Sequence, residues 1–282
     1  MTTVAAALAA ARAKLPANEA RLLLGHLLQQ APAWLLAHDD ESLDEDALLS
    51  FASLVARRAG GEPVAYLVGY REFFGRRFAV SPAVLIPRPE TELIVELATA
   101  RVGAGGTATI LDLGTGSGCI AISLALELPL ARVTAVDSSA EALRMASANS
   151  LSLGTAVRLI QSDWFSGLTG EKFDLIVSNP PYIASGDSHL QSGDLRHEPP
   201  QALASGADGL DAIRRIVTMA ARHLSPNGYL LIEHGYDQAH AVSDLLCAAG
   251  FSDIRVYPDI AGIPRVSAAV FAPNGETPAD SR

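Results

Sequence analysis

Three glycines at two-residue spacing form the first candidate site for chemistry in this sequence. The run Asp112-Leu113-Gly114-Thr115-Gly116-Ser117-Gly118 follows apolar residues that predict a β-strand. Glycine permits a tight turn and a close approach of the backbone to a ligand. The helix expected next begins with free N–H groups, and these favour an anion such as a carboxylate. Asp137, at the end of the following predicted strand, is placed to accept hydrogen bonds from ribose hydroxyls.

The spacing of this loop distinguishes between two kinds of nucleotide cofactor. The dinucleotide-binding fingerprint, G-x-G-x-x-G, requires glycine at its sixth position, and this sequence has Cys119 there. The G-x-G-x-G spacing instead resembles the loop of Rossmann-like methyltransferases. That resemblance implies S-adenosylmethionine as the cofactor and S-adenosylhomocysteine as the product. A nicotinamide dinucleotide is one alternative, and a structural turn beside an ordinary strand-end aspartate is another.

A second motif, Asn179-Pro180-Pro181-Tyr182, follows a later run of apolar residues. Two prolines cannot continue a central strand, because they lack the N–H donor, and they restrict the backbone around them. The result is a stiff loop that offers the Asn179 side-chain oxygen, a free carbonyl and an aromatic face. A plain turn is the alternative interpretation.

This stiff loop suits chemistry on a planar nitrogen. An amide nitrogen is a poor nucleophile because its lone pair is delocalised, and rotation about a peptide bond costs about 18–20 kcal/mol for the same reason. Asn179 Oδ1 and the Pro180 carbonyl would accept both N–H hydrogens and direct the lone pair at a methyl carbon, while Tyr182 would stack on the amide. We therefore predict catalytic roles for Asn179, Pro180 and Tyr182, and substrate binding by these three residues and Pro181.

A third pair of residues, Asp163 and Trp164, follows another predicted strand. An acid at this place would accept a hydrogen bond from an adenine amino group, and Trp164 would contact the adenine ring. The pair is therefore a candidate for cofactor binding. A buried aromatic residue beside a capping acid is the alternative.

The elements that must position these residues alternate between strand and helix from about residue 90. Apolar runs predict strands at 109–113, 133–137, 157–160, 173–177 and 229–233. Helices are predicted at 117–127, 140–150, 210–224 and 238–249, the second capped by Ser138 and Glu141. The alternation predicts an α/β fold with a parallel sheet covered on both faces. In strand order 3-2-1-4-5, the first and fourth strands are neighbours, so the glycine loop and Asn179 are expected in one crevice.

The chain before residue 90 predicts two smaller parts. Residues 1–60 read as short helices, one of them opened by a capping box of Ser42 and Glu45 and stopped at Gly60. Aromatic and β-branched residues predict a β-hairpin over 71–88. The expected organisation is a helical domain at 1–70, a hairpin linker at 71–88, an α/β domain at 89–275 and a flexible tail at 276–282.

Composition limits the classes of function. With 282 residues, 49% hydrophobic and 18% charged, the chain is expected to be globular with a sizeable core. A net charge of -10 argues against broad contact with nucleic acid. Cys119 and Cys247 have no metal or redox spacing, so we expect free thiols and no metal site. We expect no signal peptide and no membrane span, and hence a cytoplasmic protein. A monomer is the starting assumption for its oligomeric state.

Together, the motifs resemble those of the bacterial peptide chain release factor N5-glutamine methyltransferases. The resemblance covers roughly residues 62–267, including 84–92, 162–165, 179–183, 197–199 and 259–262. It implies a small helical N-terminal domain that helps to hold the substrate, a hairpin linker and a Rossmann-like class I methyltransferase domain. It also implies methylation of the glutamine in the Gly-Gly-Gln loop of class I release factors.

The same resemblance implies roles for particular residues. The cofactor would contact 114–118, Asp137, Trp164 and Asn179, and the substrate glutamine would lie on 179–182. The run Arg88-Pro89-Glu90-Thr91-Glu92 favours this branch over a sister family that methylates a glutamine of a ribosomal protein. Its charged residues are interpreted as a salt-bridged helix start rather than as catalytic groups.

Two other functions remain as alternatives. DNA adenine methyltransferases carry a similar Asn-Pro-Pro-Tyr motif, but they must flip a base and bind phosphates with a basic face. The acidic composition of this chain argues against that function and against direct nucleic-acid binding. A non-catalytic binding module with a cofactor fold is the second alternative, and the intact Asn179 and Tyr182 argue against it.

Overall fold

A computed structural model describes residues 2–272, so the predicted domain end at 275 and the tail at 276–282 lie outside the described residues. The chain forms two compact units. The first contains Met1–Tyr70 together with Ser192–His197, and the second contains Arg71–Gln191 and Glu198–Arg282. The sequence did not indicate that a short segment beyond residue 190 belongs to the first unit.

The first unit is helical, as expected. Its helices are α1 (Val4–Ala11), α2 (Ala17–Leu28), α3 (Pro32–Ala37), α4 (Glu45–Ala59) and α5 (Val64–Val68). Two short strands, β1 (Thr2–Thr3) and β2 (Ser42–Leu43), pair antiparallel. Fully buried leucines, among them Leu23, Leu24 and Leu35, form its core. The segment Ser192–His197 is bound through Asp194, whose carboxylate accepts a hydrogen bond from Arg58 at 2.7 Å.

The predicted capping box at the start of α4 is wrong. Ser42 lies in β2, and the helix is capped by Asp44, whose carboxylate accepts a hydrogen bond from the Ala47 N–H at 2.7 Å. An aspartate caps as well as a serine does, and its charge also favours the positive end of the helix dipole. Pairing of Ser42 with Thr3 fixes its backbone in the strand, so it cannot serve as the cap.

The hairpin is shorter than the predicted 71–88. Strands β3 (Tyr70–Phe73) and β4 (Arg76–Ala79) form it, and residues 80–88 continue without regular strand structure. Pro82 and Pro87 have no backbone N–H for a strand ladder. The N–H of Ile86 donates instead to the Glu198 carboxylate at 2.9 Å, so this segment is held by a side chain rather than by a neighbouring strand.

A seven-stranded sheet organises the second unit. In chain order its strands are β5 (Thr109–Leu113), β6 (Arg132–Asp137), β7 (Arg158–Gln161), β8 (Phe173–Ser178), β9 (Leu224–Glu233), β10 (Phe251–Pro258) and β11 (Pro264–Phe271). Their order across the sheet is β10-β11-β9-β8-β5-β6-β7. The predicted α/β fold is confirmed, as is the adjacency of the first and fourth predicted strands, β5 and β8.

The prediction of an entirely parallel sheet is wrong at one edge. Strands β10 and β11 were not predicted, and β11 pairs antiparallel with both β9 and β10. The predicted helix at 210–224 is also too long, because its last residue, Leu224, begins β9. The helix itself, α9, covers Asp211–Ala220.

Helices cover both faces of the sheet. They are α6 (Glu92–Val102), α7 (Cys119–Glu127), α8 (Ala140–Ser152), α9 and α10 (Ala239–Ala248), and α6 follows a 3₁₀ turn at Pro89–Thr91. Successive strand residues enter opposite apolar clusters, as Ile110 and Leu111 of β5 do. The carboxyl ends of β5, β6 and β8 consequently meet at one edge. Among residues 2–272, no helix is long and apolar enough to cross a membrane.

Candidate functional site

A cavity of about 260 Å³ lies at this edge of the sheet, within the second unit. Residues from each of the predicted motifs line it, namely Gly114, Gly116, Asp137, Asp163, Trp164, Asn179 and Pro181. The structure therefore brings the glycine loop and the Asn-Pro-Pro-Tyr motif into one crevice. The other predicted site residues, Thr115, Ser117, Gly118, Pro180 and Tyr182, lie in the same two loops but are not among those that line the cavity.

The glycines of the loop serve two different purposes. All three have positive φ, with 55° at Gly116 and 83° at Gly118. A Cβ on Gly116 would meet nothing within 4 Å, so its backbone is open to a ligand. A Cβ on Gly118 would lie 2.8 Å from Ile122 and 3.1 Å from Ala146, so this glycine permits the close packing of α7 and α8.

The start of α7 has no side-chain cap at its N-cap residue, although Asp112 accepts a hydrogen bond from the Ala121 backbone in its first turn. Gly118 occupies the N-cap position and has no side chain to offer, so α7 begins at Cys119 without a side-chain cap rather than at residue 117 as predicted. Uncapped N–H groups and the positive end of the helix dipole together favour an anion. An anionic ligand group in the neighbouring cavity would complement this end of the helix.

Asp137 shapes the glycine loop directly. Its Oδ2 accepts a hydrogen bond from the Gly116 N–H and its Oδ1 accepts one from the Ser139 N–H, both at 2.9 Å. Each carboxylate oxygen keeps a further lone pair, so Asp137 retains capacity for ligand hydroxyls. Ser139 caps α8 by accepting from the Ala142 N–H, which corrects the predicted cap at Ser138.

Asp112 is a contributor that we did not predict. It is buried at the end of β5, and its carboxylate accepts a hydrogen bond from the Thr115 hydroxyl at 2.6 Å. Burial raises the pKa of Asp112 to about 7, against the opposing hydrogen bonds from Thr115 and the Ala121 backbone. An acidic residue in an otherwise apolar strand was the available signal.

Asp163 and Trp164 form the part of the wall next to the glycine loop. The Asp163 carboxylate accepts two hydrogen bonds from Arg215, at 3.0 and 2.6 Å, an ion pair that the sequence did not reveal. Trp164 has φ of 53°, and its ring lies 3.6 Å from where a Gly114 Cβ would be. Asp163 remains largely exposed in this pair, so its predicted bond to an adenine amino group stays a prediction.

Asn179 is the polar centre of the opposite side. Its Nδ2 donates to the Thr91 hydroxyl at 2.9 Å. Its Oδ1 is buried and receives no hydrogen bond from residues 2–272. A buried acceptor without a donor costs about 1–3 kcal/mol. A ligand N–H that reached this oxygen would recover that energy, so the site is suited to a hydrogen-bond donor.

Tyr182 is fixed at both its backbone and its hydroxyl. Its carbonyl accepts a hydrogen bond from Gln238 Nε2 at 3.0 Å, and its hydroxyl donates to Glu233 Oε1 at 3.3 Å. Burial, with the nearby Glu233 charge, raises the pKa of Tyr182, so the phenol stays protonated. A Cβ on Gly209 would come within 2.2 Å of the Tyr182 carbonyl, which requires glycine there.

Glu198 joins two further parts of the wall. Its buried carboxylate accepts hydrogen bonds from the Ile86 N–H and from Arg88. Residues 83–85 on one side of this contact, and Pro199, Gln201 and Ala202 on the other, contribute to the cavity lining. Arg88 is therefore salt-bridged at the start of the 3₁₀ turn, as predicted, and its partner is Glu198 rather than an acid of its own run. Glu92 instead accepts a hydrogen bond from the Phe74 N–H at 2.8 Å.

Metal-ligating side chains do not cluster at this site. Among residues 2–272, no group of three or more His, Cys, Asp or Glu side chains is placed to hold a metal ion. Cys119 is buried and Cys247 is exposed, and both are free thiols.

Comparison with known proteins gives matches along nearly the whole chain. Residues 1–69 match the family model described as the PrmC N-terminal domain, and residues 90–206 match the Methyltransferase small domain. The Release factor glutamine methyltransferase of Bordetella pertussis is 49% identical over 254 residues, which is 90% of this chain and 94% of that protein. The protein of the same name from Burkholderia pseudomallei is 49% identical over 260 residues, 90% of this chain and 91% of its own length.

One solved structure is similar to this chain in its fold only. A methyltransferase from Pyrococcus furiosus is similar to this chain with a TM-score of 0.55 and 19% identity, covering 78% of this chain and 99% of its own. At this level of identity the likeness shows a shared arrangement of strands and helices.

Proposed function

The chain belongs to the release factor glutamine methyltransferase family, and on that premise we propose that it methylates the side-chain amide nitrogen of the glutamine in the Gly-Gly-Gln motif of class I peptide chain release factors. S-adenosylmethionine is the methyl donor. One observation carries the proposal: the buried Asn179 Oδ1 receives no hydrogen bond from the part of the chain that the structure describes, and Asn179 lines the same cavity as the glycine loop.

The glycine-loop side fits S-adenosylmethionine, which supplies a methyl group on a positively charged sulfur. The uncapped start of α7 and the open backbone at Gly116 suit its carboxylate. Asp137 keeps lone pairs for the two ribose hydroxyls. Trp164 offers a ring face to the adenine, and Asp163 offers an acceptor for its amino group.

The Asn179 side fits a primary amide. Asn179 Oδ1 and the Pro180 carbonyl would accept the two N–H hydrogens, which fixes the amide plane and turns the nitrogen lone pair toward the methyl group. Tyr182, held by Glu233 and Gln238, would pack against that plane. Positioning of this kind contributes roughly 7–11 kcal/mol to a reaction. The nitrogen gains positive charge as it is methylated, and both acceptors stabilise that charge.

No separate strong base is needed in this scheme. The methylated nitrogen carries one proton more than a neutral amide, and a protonated amide nitrogen loses a proton readily to water. The reaction requires acceptors and a methyl donor, and it needs no metal ion.

The remaining parts of the proposal concern the partner. The helical unit at residues 1–70 would recognise the release factor, with 71–88 as the linker to the methyltransferase domain at 89–275. The net charge of -10 supports a protein substrate over direct nucleic-acid contact. Release factors act on ribosomes, so the enzyme would work in the cytoplasm, as a monomer.

Mass spectrometry of a purified bacterial release factor, incubated with the protein and S-adenosylmethionine, tests this function. We expect one methyl group on the Gly-Gly-Gln glutamine. Asn179→Ala should lower the rate by about 10²–10³-fold or more, because a preorganised acceptor is lost. Ser152→Ala, an exposed change on α8, is the matched control.

Two results would contradict the proposal in different ways. Methyl transfer to a ribosomal protein or to DNA, with none to the release factor, would overturn the substrate while leaving the cofactor site intact. Full activity of Asn179→Ala would overturn the role of Asn179. Retention on heparin at low salt separates the DNA alternative independently.

A further inference from the structure

Asn149 is a buried amide that joins two segments of the chain beside the cavity. It is 2% exposed and lies in α8. Its Oδ1 accepts a hydrogen bond from the Ala79 N–H at 2.8 Å, while its Nδ2 donates to the Ala79 carbonyl at 3.0 Å and to the Ser117 carbonyl at 2.8 Å. A backbone N–H can only donate and a carbonyl can only accept, so these partners fix which end of the amide is the oxygen. Both ends of the side chain are therefore in use.

The first segment held by Asn149 is the glycine loop, in which Ser117 immediately precedes the N-cap residue Gly118. Ala142, Ala146 and Asn149 recur at spacings of four and three, so they share one face of α8. A Cβ on Gly118 would lie 3.1 Å from the Ala146 Cβ, and Ala142 lines the cavity. Small residues thus let this face approach the loop closely, and Asn149 supplies the hydrogen bond to it.

The second segment begins at Ala79, the last residue of β4. The chain beyond it, residues 80–85, has no regular strand structure, and 83–85 line the cavity. The Ala79 backbone exchanges an N–H and a C=O hydrogen bond with one side-chain amide, as it would with a residue of a neighbouring strand. At the other end of the segment, Glu198 binds the Ile86 N–H. A buried side chain therefore holds this segment at each end.

Asn149 also differs in type from the other buried residues of its helix face. Alanine has a higher helix propensity than asparagine and occupies the neighbouring buried positions of this face. A buried amide is stable only where its polar atoms find partners. The three hydrogen bonds that Asn149 makes outside α8 meet that requirement. Without this side chain, one backbone N–H and two carbonyls would lose their partner, and both segments would shift to find others.

We propose that Asn149 is a positioning residue for the cofactor, which ties the glycine loop to the start of the 80–85 segment and thereby raises the affinity for S-adenosylmethionine. Asn149 itself does not line the cavity, so it acts through the backbone of Ser117 and Ala79. The inference rests on the proposed function for the identity of the cofactor. Its effect falls on cofactor binding rather than on methyl transfer, because Asn179 and Tyr182 are held by other side chains.

Titration calorimetry and steady-state kinetics with Asn149→Asp provide the first test. Aspartate keeps the shape and the acceptor for the Ala79 N–H, but an ionised carboxylate has no hydrogen to donate to the two carbonyls. We expect the dissociation constant for S-adenosylmethionine to rise about 10-fold or more, since the glycine loop loses a buried hydrogen bond. At saturating cofactor, kcat should stay within about threefold of wild type, because the contacts of Asn179 are untouched.

Ser150→Ala is the matched control. It removes a buried hydroxyl on the same helix, which donates to the Thr155 carbonyl at 2.8 Å. This loss should lower the stability of the protein and leave the dissociation constant within about twofold of wild type. Asn149→Ala carries the test if the aspartate variant does not fold, because alanine favours the helix and adds no charge. A wild-type dissociation constant in the Asn149 variants, or an equal rise in Ser150→Ala, would overturn the proposal.

Hydrogen–deuterium exchange measured by mass spectrometry tests the positioning role without any substrate. In Asn149→Ala the backbone amides of 79–85 and 114–118 should exchange about 10-fold faster than in wild type, because both segments lose an anchor. Ser150→Ala should leave the exchange of these two segments unchanged. Wild-type exchange in both segments of Asn149→Ala would contradict the role of Asn149. Failure of the wild-type protein to bind S-adenosylmethionine or to methylate a release factor would instead contradict the proposed function and leave this readout intact.

Discussion

The two walls of the cavity are held in different ways. The glycine-loop wall, residues 114–118 with 137, 163 and 164, is shaped by contacts between residues that are closer in sequence, such as the hydrogen bond from the Gly116 N–H to the Asp137 carboxylate over 21 positions and that from Arg215 to Asp163 over 52. The Asn179 wall, residues 83–88, 179–182 and 198–202, is held by side chains that are distant in sequence. Thr91 and Asn179 are 88 positions apart, and Ile86 and Glu198 are 112 apart.

This difference follows from what each wall must bind. A strand, a glycine turn and a helix start can form a cofactor site from one continuous stretch of chain. A site that offers one hydrogen-bond acceptor and one aromatic ring to a single amide needs both groups to be held by contacts from several parts of the chain. Buried Glu198 and Glu233 do this for the Asn179 wall. We therefore expect that a substitution in the Asn179 wall will affect residues that are far from it in sequence.

Loss of the Glu198 carboxylate is the strongest test of that expectation. Glu198→Ala leaves the Ile86 N–H and the Arg88 guanidinium without their partner. We expect the free energy of unfolding to fall by about 3 kcal/mol, the lower end for breaking a buried ion pair, because Arg88 is partly exposed. Urea unfolding measures it.

A surface ion pair supplies the control for this change. Glu141→Ala removes the exposed partner of Arg144 on α8 and should cost less than about 0.5 kcal/mol. If Glu198→Ala were as mild as Glu141→Ala, long-range side-chain contacts would not be what holds the Asn179 wall.

The same contrast explains what the sequence could and could not predict. The glycine loop, Asp137 and Asn179 were identified because each follows an apolar strand and carries its chemistry locally. The contacts of Thr91, Glu198 and Glu233 were not identified, since no spacing links residues that meet only through the fold.

Strand errors have a similar physical origin. The unpredicted strands β10 and β11 add to an edge, where antiparallel pairing depends on the neighbouring β9. The hairpin was extended too far because residues 80–88 have strand-forming side chains. There, Pro82 and Pro87 lack the N–H donor, and the Ile86 N–H is taken by Glu198. Local propensity was overridden by tertiary contacts at residues 80–88.

Asp137→Ala tests whether the glycine-loop wall binds the cofactor. It removes the acceptor for Gly116 and for the ribose hydroxyls, so the dissociation constant for S-adenosylmethionine should rise about 10- to 50-fold. The kcat at saturating cofactor should change only a few-fold. Titration calorimetry and kinetics measure the two quantities.

Asn179→Ala should show the reverse pattern, with a low kcat and an almost unchanged dissociation constant. We expect this reversal because the glycine-loop wall would bind the cofactor, whereas the Asn179 wall would position the substrate amide. Similar losses of affinity and of kcat in both variants would mean that the walls act as one unit.

Each wall is backed by one buried carboxylate, Asp112 for the glycine-loop wall and Glu233 for the Asn179 wall. The protonation of both carboxylates should depend on pH in the same way. Burial raises the pKa of Asp112 to about 7 and that of Glu233 to about 7. For Glu233, hydrogen bonds from Thr91 and Tyr182 and the charge of Arg265 oppose the rise, while the charge of Glu90 adds to it. Both groups therefore keep protons in the folded protein that they release in the unfolded chain.

The sign of the effect follows from this difference in bound protons. Between the ordinary carboxyl pKa and about 7 the folded state binds more protons, so stability should fall as pH rises and level off above about 7. The fall should be about 1 kcal/mol per group between about pH 5.5 and 6.5. His223 and His234, whose pKa values burial lowers, act in the opposite direction.

The informative quantity is therefore the difference between wild type and Glu233→Gln, measured by urea unfolding across this range. The variant should lose about 1 kcal/mol less than wild type, and Asp112→Asn should do the same for its wall. Parallel pH curves for wild type and Glu233→Gln would mean that Glu233 ionises at its ordinary pKa, and that burial does not raise it.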